Sequence, residues 1–228
     1  TSARHIHVSR EHLDAIVRDG VEHSFNRITI DGDMSTNDTT LVMANGASGV
    51  QLAPGVDGWE DFVAALHYVM LEQAKRIVQG GERVTKFVTV KVEGAPSQEE
   101  ARKVAEGVAK SNLVKSSWNG GDPNWGRIIH AVGYSGARVV EEKIDIDIAG
   151  LPACRGGEQT DTPSDDLREL VQAREFEIRI NLNLGSDAEL IEDYRGRNLL
   201  VFSSYWAIDF TCRRNPGLEL KEIVVAEG

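Results

Sequence analysis

The sequence predicts an α+β fold, on three observations. Apolar residues recur at helical spacing in some segments and alternate with period two in others. These segments come in blocks rather than in strict strand–helix succession, which favours sheets packed against helices in layers. The chain has 228 residues, 41% of them hydrophobic and 27% charged, enough to bury a sizeable core.

The elements run in chain order. Ser9 is a plausible N-cap for a short helix with Leu13, Ile16 and Val17 on one face and Gly20 as its stop. Phe25, Ile28 and Ile30 predict a strand that ends at Asp31-Gly32-Asp33. The polar cluster Ser35-Thr36-Asn37-Asp38-Thr39-Thr40 comes next, succeeded by the apolar Leu41-Val42-Met43-Ala44. Such a cluster either caps a helix or faces a ligand. Turns at Asn45-Gly46 and Pro54-Gly55 lead to an amphipathic helix with Asp57 and Glu60 at its start, an apolar face of Phe62, Leu66, Val69, Met70 and Ile77, and Gly80-Gly81 at its end.

Val84 to Val92 predicts a strand, with Phe87 opposite Val88, Val90 and Val92. Ser97, with Glu100 three residues on, starts a helix that runs to about Lys110. Asp122-Pro123-Asn124-Trp125-Gly126-Arg127 is a turn into a helix ending near Gly133. Lys143 to Ile148 and Leu151 to Cys154 read as strands, Thr162-Pro163-Ser164 starts a helix through Val171, and Phe176 to Leu184 and Leu199 to Trp206 read as two more strands. Gly157 to Ser164 is the best candidate for a flexible loop. No linker is evident, so residues 1–228 read as one unit.

Composition excludes several classes. A net charge of −11 argues against nucleic acid, whose binding needs a basic face. No window is apolar enough for a membrane helix and no signal peptide is evident. Cys154 and Cys212 stand far apart without a CxxC, which suits reduced thiols in the cytoplasm. His5, His7 and His12 match no standard metal spacing, so no metal is expected. Ser35 lacks the G-x-S-x-G elbow of a serine hydrolase.

Two positions can carry chemistry. A threonine at a chain's first position can be nucleophile and base together: its hydroxyl attacks an acyl carbon while its own α-amine, with a reference pKa of about 7.7–8.0, takes the proton. Thr1 is such a residue, or simply the place where the sequence starts. Glu82, just after Gly80-Gly81, is a carboxylate on a turn that reads on its own as solvated.

The stretch Ser24 to Thr39, SFNRITIDGDMSTNDT, closely resembles the signature of the ornithine acetyltransferase family, the bifunctional glutamate N-acetyltransferases of arginine biosynthesis. Gly80-Gly81-Glu82-Arg83-Val84-Thr85-Lys86-Phe87 resembles that family's glycine–glutamate…Thr-Lys-Phe motif. Leu113-Val114-Lys115, Gly121 to Arg127, Gly133-Tyr134-Ser135-Gly136 and Cys154-Arg155 fit the same pattern, and the likeness runs from about Ser24 to Leu184. Asp209-Phe210-Thr211 resembles the family's Asp-Leu-Thr, with Asn215 as the matching substrate-binding Asn. The ends depart from the pattern: Thr1 is followed by a short polar run, and no threonine comes after Asn215.

The resemblance implies a layered α+β fold of the N-terminal-nucleophile type. It implies the β chain of a self-cleaved precursor, completed by a separate α chain that supplies the oxyanion hole and assembled as a heterotetramer. Thr1 would take the acetyl group from N2-acetylornithine and pass it to glutamate, with Glu82 and Asn215 holding substrate. The resemblance implies no cofactor, and acetyl-CoA is a common alternative donor in the family. An N-terminal-threonine amidase or aminopeptidase would use the same Thr1, and the altered ends also admit a diverged, non-catalytic member.

Overall fold

The computed structural model describes residues 6–185 and the backbone of 199–206, and the chain divides into two compact units. One holds residues 6–28 and Asp33–Ile77; the second holds Thr29–Gly32 with 78–185 and 199–206.

The first unit is built on two helices and a small sheet. Strand β1 (Ile6–Val8) precedes helix α1 (Arg10–Glu22), whose cap is the expected Ser9: its hydroxyl accepts from the His12 N–H at 3.2 Å. Gly20 does not stop this helix. It is buried inside it, where a Cβ would meet Met70 Sδ at 2.6 Å and His67 at 2.8 Å. The glycine there admits a neighbouring helix, and the true end is at His23–Ser24, where the Ser24 hydroxyl donates to the Gly20 carbonyl at 2.6 Å. The strand expected from Phe25 to Ile30 is mostly a 3-10 turn (Phe25–Arg27), leaving only β2 (Ile28–Thr29) extended. After a long loop, β3 (Val50–Leu52) pairs in parallel with β1, and helix α2 (Trp59–Gln79) comes next. Val8, Ile16, Leu52 and Trp59 form the core of this unit, with Leu13, Phe62 and Leu66 packed on it.

The second unit is a seven-stranded sheet in the order β2-β9-β4-β8-β5-β6-β7. Its members are β4 (Val84–Glu93), β5 (Asp145–Ile148), β6 (Leu151–Arg155), β7 (Glu158–Gln159), β8 (Glu175–Asn181) and β9 (Leu199–Trp206), with β2 at one edge. Strand β4 is an interior strand, parallel to β8 and antiparallel to β9. Val88, Val90 and Val92 share one apolar cluster with Ile178 and Ile180 of β8 and with helices α3 (Gln98–Ala109), α4 (Asn112–Asn119) and α5 (Trp125–Tyr134). The other face of β8 carries the exposed Glu175, Glu177 and Arg179, so the alternation along this strand separates helix-covered core from solvent.

Ser97 caps α3 as expected, accepting from the Glu100 N–H at 3.2 Å. Glu100 does not close the capping box; its carboxylate accepts instead from Lys103 at 2.7 Å and from the Arg138 N–H. Helix α6 (Ser164–Leu170) forms where expected, but the proposed flexible loop before it is anchored: the Thr160 and Thr162 hydroxyls each donate to the Pro152 carbonyl at 2.6 Å.

Candidate functional site

The turn carrying Glu82 is the best-defined site feature in the second unit. Helix α2 ends at Gln79, and the Gly81 N–H then donates to the Val78 carbonyl at 3.4 Å while the Val84 N–H donates to the Gly81 carbonyl at 3.3 Å. A Cβ on Gly81 would lie 2.8 Å from Val84 Cγ2, so the turn closes tightly only around glycine. Arg83 sits at φ 58°, a left-handed conformation that costs a non-glycine residue of order 1 kcal/mol or more. Glu82 itself is exposed, not buried as a buried-carboxylate reading requires. A strained, tight turn thus presents an exposed carboxylate at the head of β4.

The residues C-terminal to Glu82 hold that turn from below. Strand β4 bulges between Val84 and Lys86, which re-aims the side chains beside it. The Thr85 hydroxyl donates to Asn119 Oδ1 at 2.8 Å, tying the strand to the end of α4. Lys86 is buried, and its ammonium donates to the carbonyls of Val171, Gln172 and Ala173 at 2.7, 2.8 and 3.0 Å. These carbonyls lie at and just beyond the C-terminal end of α6, where orphan acceptors and the helix dipole both favour a cation. Burial pushes the Lys86 amine below its ordinary pKa.

A second buried lysine closes the other side. Lys115 of α4 is 3% exposed, and its ammonium donates to the Ile30 carbonyl at the end of β2. Burial lowers its pKa to about 8; the Asp31 carboxylate opposes that shift and Lys110 adds to it. Both lysines lie within the sequence motifs, but residue order alone gives neither of them a role. The available signal is a lysine inside an otherwise apolar run, which marks a buried cation only when its partners are known.

The hydroxyl-rich segment resolves toward capping. Ser35 is buried, and its hydroxyl accepts from the Asn37 and Asp38 N–H groups at 3.3 and 3.0 Å. The capped element is a turn rather than a helix, and Thr36 to Thr40 are exposed around it. The Asp122–Arg127 motif is also structural in geometry. Asn124 caps α5 through the Arg127 N–H at 3.1 Å and bonds Asp122 at 3.0 Å, while Arg127 Nη1 donates to the Leu113 carbonyl and the Ser116 hydroxyl. Beside it lies a cleft of about 200 Å³, lined among others by Asp122, Asn124, Trp125, Thr160, Thr162 and Arg168. Cys154 is buried, and that burial pushes its thiol pKa up, away from a reactive thiolate.

Thr1 and Asn215 lie outside the described residues, as do His5 and Cys212. His12 packs edge-on against Trp59, with ring centroids 5.6 Å apart. Among the described residues no group of three His, Cys, Asp or Glu side chains could hold a metal ion, and no helix is long and apolar enough to cross a membrane.

Comparison with known proteins gives one consistent answer. Residues 3–194 match the ArgJ family. The arginine biosynthesis bifunctional protein ArgJ of Streptococcus mutans is 40% identical over 179 residues, covering 78% of this chain and 45% of that protein. Its counterpart in Geobacter sulfurreducens is 42% identical over 180 residues, covering 78% and 46%. The chain thus spans about half the length of the curated relatives it matches. The crystal structure of arginine biosynthesis bifunctional protein argJ from Bacillus halodurans superposes with a TM-score of 0.81 at 34% identity, covering 90% of this chain and 92% of that one. The likeness extends to the mixed, layered α+β architecture.

Proposed function

This chain belongs to the ArgJ family, and on that premise we propose that it is the β part of an acetyltransferase of arginine biosynthesis, acting through an acetyl-threonine intermediate. The Thr1 hydroxyl oxygen attacks the acetyl carbonyl of N2-acetylornithine while the Thr1 α-amine takes the hydroxyl proton. Collapse of the tetrahedral intermediate breaks the C–N bond, and the departing ornithine nitrogen carries that proton away. The amine of glutamate then attacks the acetyl-threonine ester, and the threonine hydroxyl is restored. Nucleophile and base are both Thr1, so the reaction needs no cofactor; acetyl-CoA would serve as an alternative donor through the same ester.

The observation that carries this reading is the Glu82 turn, which the family motif marks as the amino-acid contact. Its carboxylate stands exposed on a tight turn. An exposed carboxylate held out by the turn suits the amino group of an amino-acid substrate, with which it would form a charge-assisted hydrogen bond. Asn215 is the second proposed contact. The oxyanion donors are proposed to come from an α chain cut from the same precursor, the two chains pairing as a heterotetramer in the cytoplasm.

The test is peptide mapping of the co-expressed two-chain protein with and without N2-acetylornithine. An acetyl group on Thr1 that disappears on adding glutamate is the expected result. Protein that binds the compound and forms no such adduct would sink the acetyl-threonine route. Glu82→Gln is expected to raise KM for N2-acetylornithine by roughly 10- to 100-fold, the scale of one lost charge-assisted hydrogen bond. An unchanged KM would remove Glu82 from the site.

A further inference from the structure

Lys115 has no role in the chemistry above, and its surroundings are unusual for a lysine. It is 3% exposed, on the buried side of α4 next to Val114 and Trp118. Its ammonium reaches across to a main-chain carbonyl rather than to a carboxylate, donating to Ile30. Ile30 is the last residue before Asp31-Gly32, and Gly32 turns the chain at φ 96°. The Ile30 side chain lies near the Glu82 turn: its Cδ1 stands 3.8 Å from where a Cβ on Gly81 would be. The Lys115 ammonium therefore bonds the main chain of the residue whose side chain lies beside Gly81, just before Glu82.

We propose that Lys115 is a positioning residue for Glu82, clamping the Ile30 carbonyl so that Ile30 holds the Gly81–Glu82 turn in place from behind. The proposal rests on the reading that Glu82 contacts substrate, and it adds a residue that touches neither substrate nor reacting atoms. The charged groups facing the clamp are Asp31, beyond Ile30, and Lys110, just after α3. Lys110 is engaged by Glu106 at 3.0 Å, which leaves Lys115 as the cation directed at Ile30. With a pKa of about 8, the clamp carries most of its charge at neutral pH and loses it in mildly alkaline solution.

The experiment compares wild type, Lys115→Met and Lys115→Gln in the co-expressed two-chain protein, by steady-state kinetics and by amide hydrogen exchange. Lys115→Met is expected to raise KM for N2-acetylornithine roughly 10-fold, as loss of an outer-shell support does, with kcat little changed. Lys115→Gln, which keeps an N–H donor, is expected to recover part of that loss. Exchange at residues 81–84 is expected to quicken in Lys115→Met; in wild type, once corrected for its chemical pH dependence, it is expected to slow between pH 8 and 10, because opening returns the amine to water and takes up a proton, whereas Lys115→Met shows no such change. A wild type without acetyl transfer would end the underlying reading. An active wild type alongside a Lys115→Met protein with unchanged KM and unchanged exchange at 81–84 would overturn the clamp alone.

Discussion

A lysine buried against carbonyl oxygens contributes donors at the cost of removing a charge from water, and Lys86 and Lys115 balance these differently. Lys86 satisfies three carbonyls, so Lys86→Met would lose three charge-assisted bonds and leave acceptors at the end of α6 unpaired. We expect a loss of about 3 kcal/mol, read as a lower midpoint in urea unfolding with the slope unchanged. Lys115 satisfies one carbonyl, and its pKa falls from 10.5 to about 8. The unfolded chain then binds more protons between those two values, so this residue's contribution to stability rises with pH across the window. It is least favourable below pH 8 and recovers by about 3 kcal/mol above pH 10.5. The stability of wild type relative to Lys115→Met is therefore expected to increase as pH is raised from about 8 to 10, measured by denaturant midpoints. A flat difference would mean that the Lys115 amine is not desolvated in solution.

At the scale of elements, β4 is readable from residue order because Val88, Val90 and Val92 alternate cleanly and are 0%, 0% and 3% exposed in the structure. Helices α3 and α5 are readable for the same kind of local reason: Ser97 and Asn124 cap them with their own side chains. The elements that escape such reading depend on distant partners. Strands β1 and β3 are three residues each and form only by pairing with each other, and α4 has just eight residues. The Phe25 segment has strand composition, yet the Ser24 N–H bonds back to Val21 and the Arg27 N–H to Ser24, closing turns before extension begins. The site divides the same way. Glu82 can be found from its motif, whereas the clamp on Ile30 involves residues 85 positions apart.

The exit of β4 offers an element-scale test. Gly94 has φ 62°, and its carbonyl accepts from the Leu184 and Gly185 N–H groups, both at 2.8 Å. A Cβ there would stand 2.2 Å from Asn181 Oδ1 and 2.8 Å from the Asn183 backbone nitrogen. Backbone cannot yield as a flexible side chain can, so Gly94→Ala is expected to destabilise by about 2–4 kcal/mol through clash and conformation together. Gly20→Ala meets the end of the Met70 side chain instead and is expected to cost less. Thermal melts of the two variants would rank them.

At the scale of the whole molecule, the first unit leaves an apolar run uncovered. Met34, Leu41 and Met43 are 66%, 72% and 70% exposed within one loop, and exposure alternates through Leu41-Val42-Met43-Ala44 as it does along an extended segment. Exposed apolar residues clustered in this way mark a surface that another chain covers. The proposed α chain is the natural occupant, since the relatives are about twice as long as this chain. Methionine oxidation reads this directly, because a covered thioether is shielded from peroxide. Brief peroxide treatment of the 228-residue chain alone is expected to convert Met34 and Met43 to sulfoxides faster than the buried Met70, which is 4% exposed. In the co-expressed two-chain protein, Met34 and Met43 are expected to slow toward the rate of Met70. Equal oxidation with and without the α chain would place the partner on a different surface and leave this loop open in the assembled enzyme.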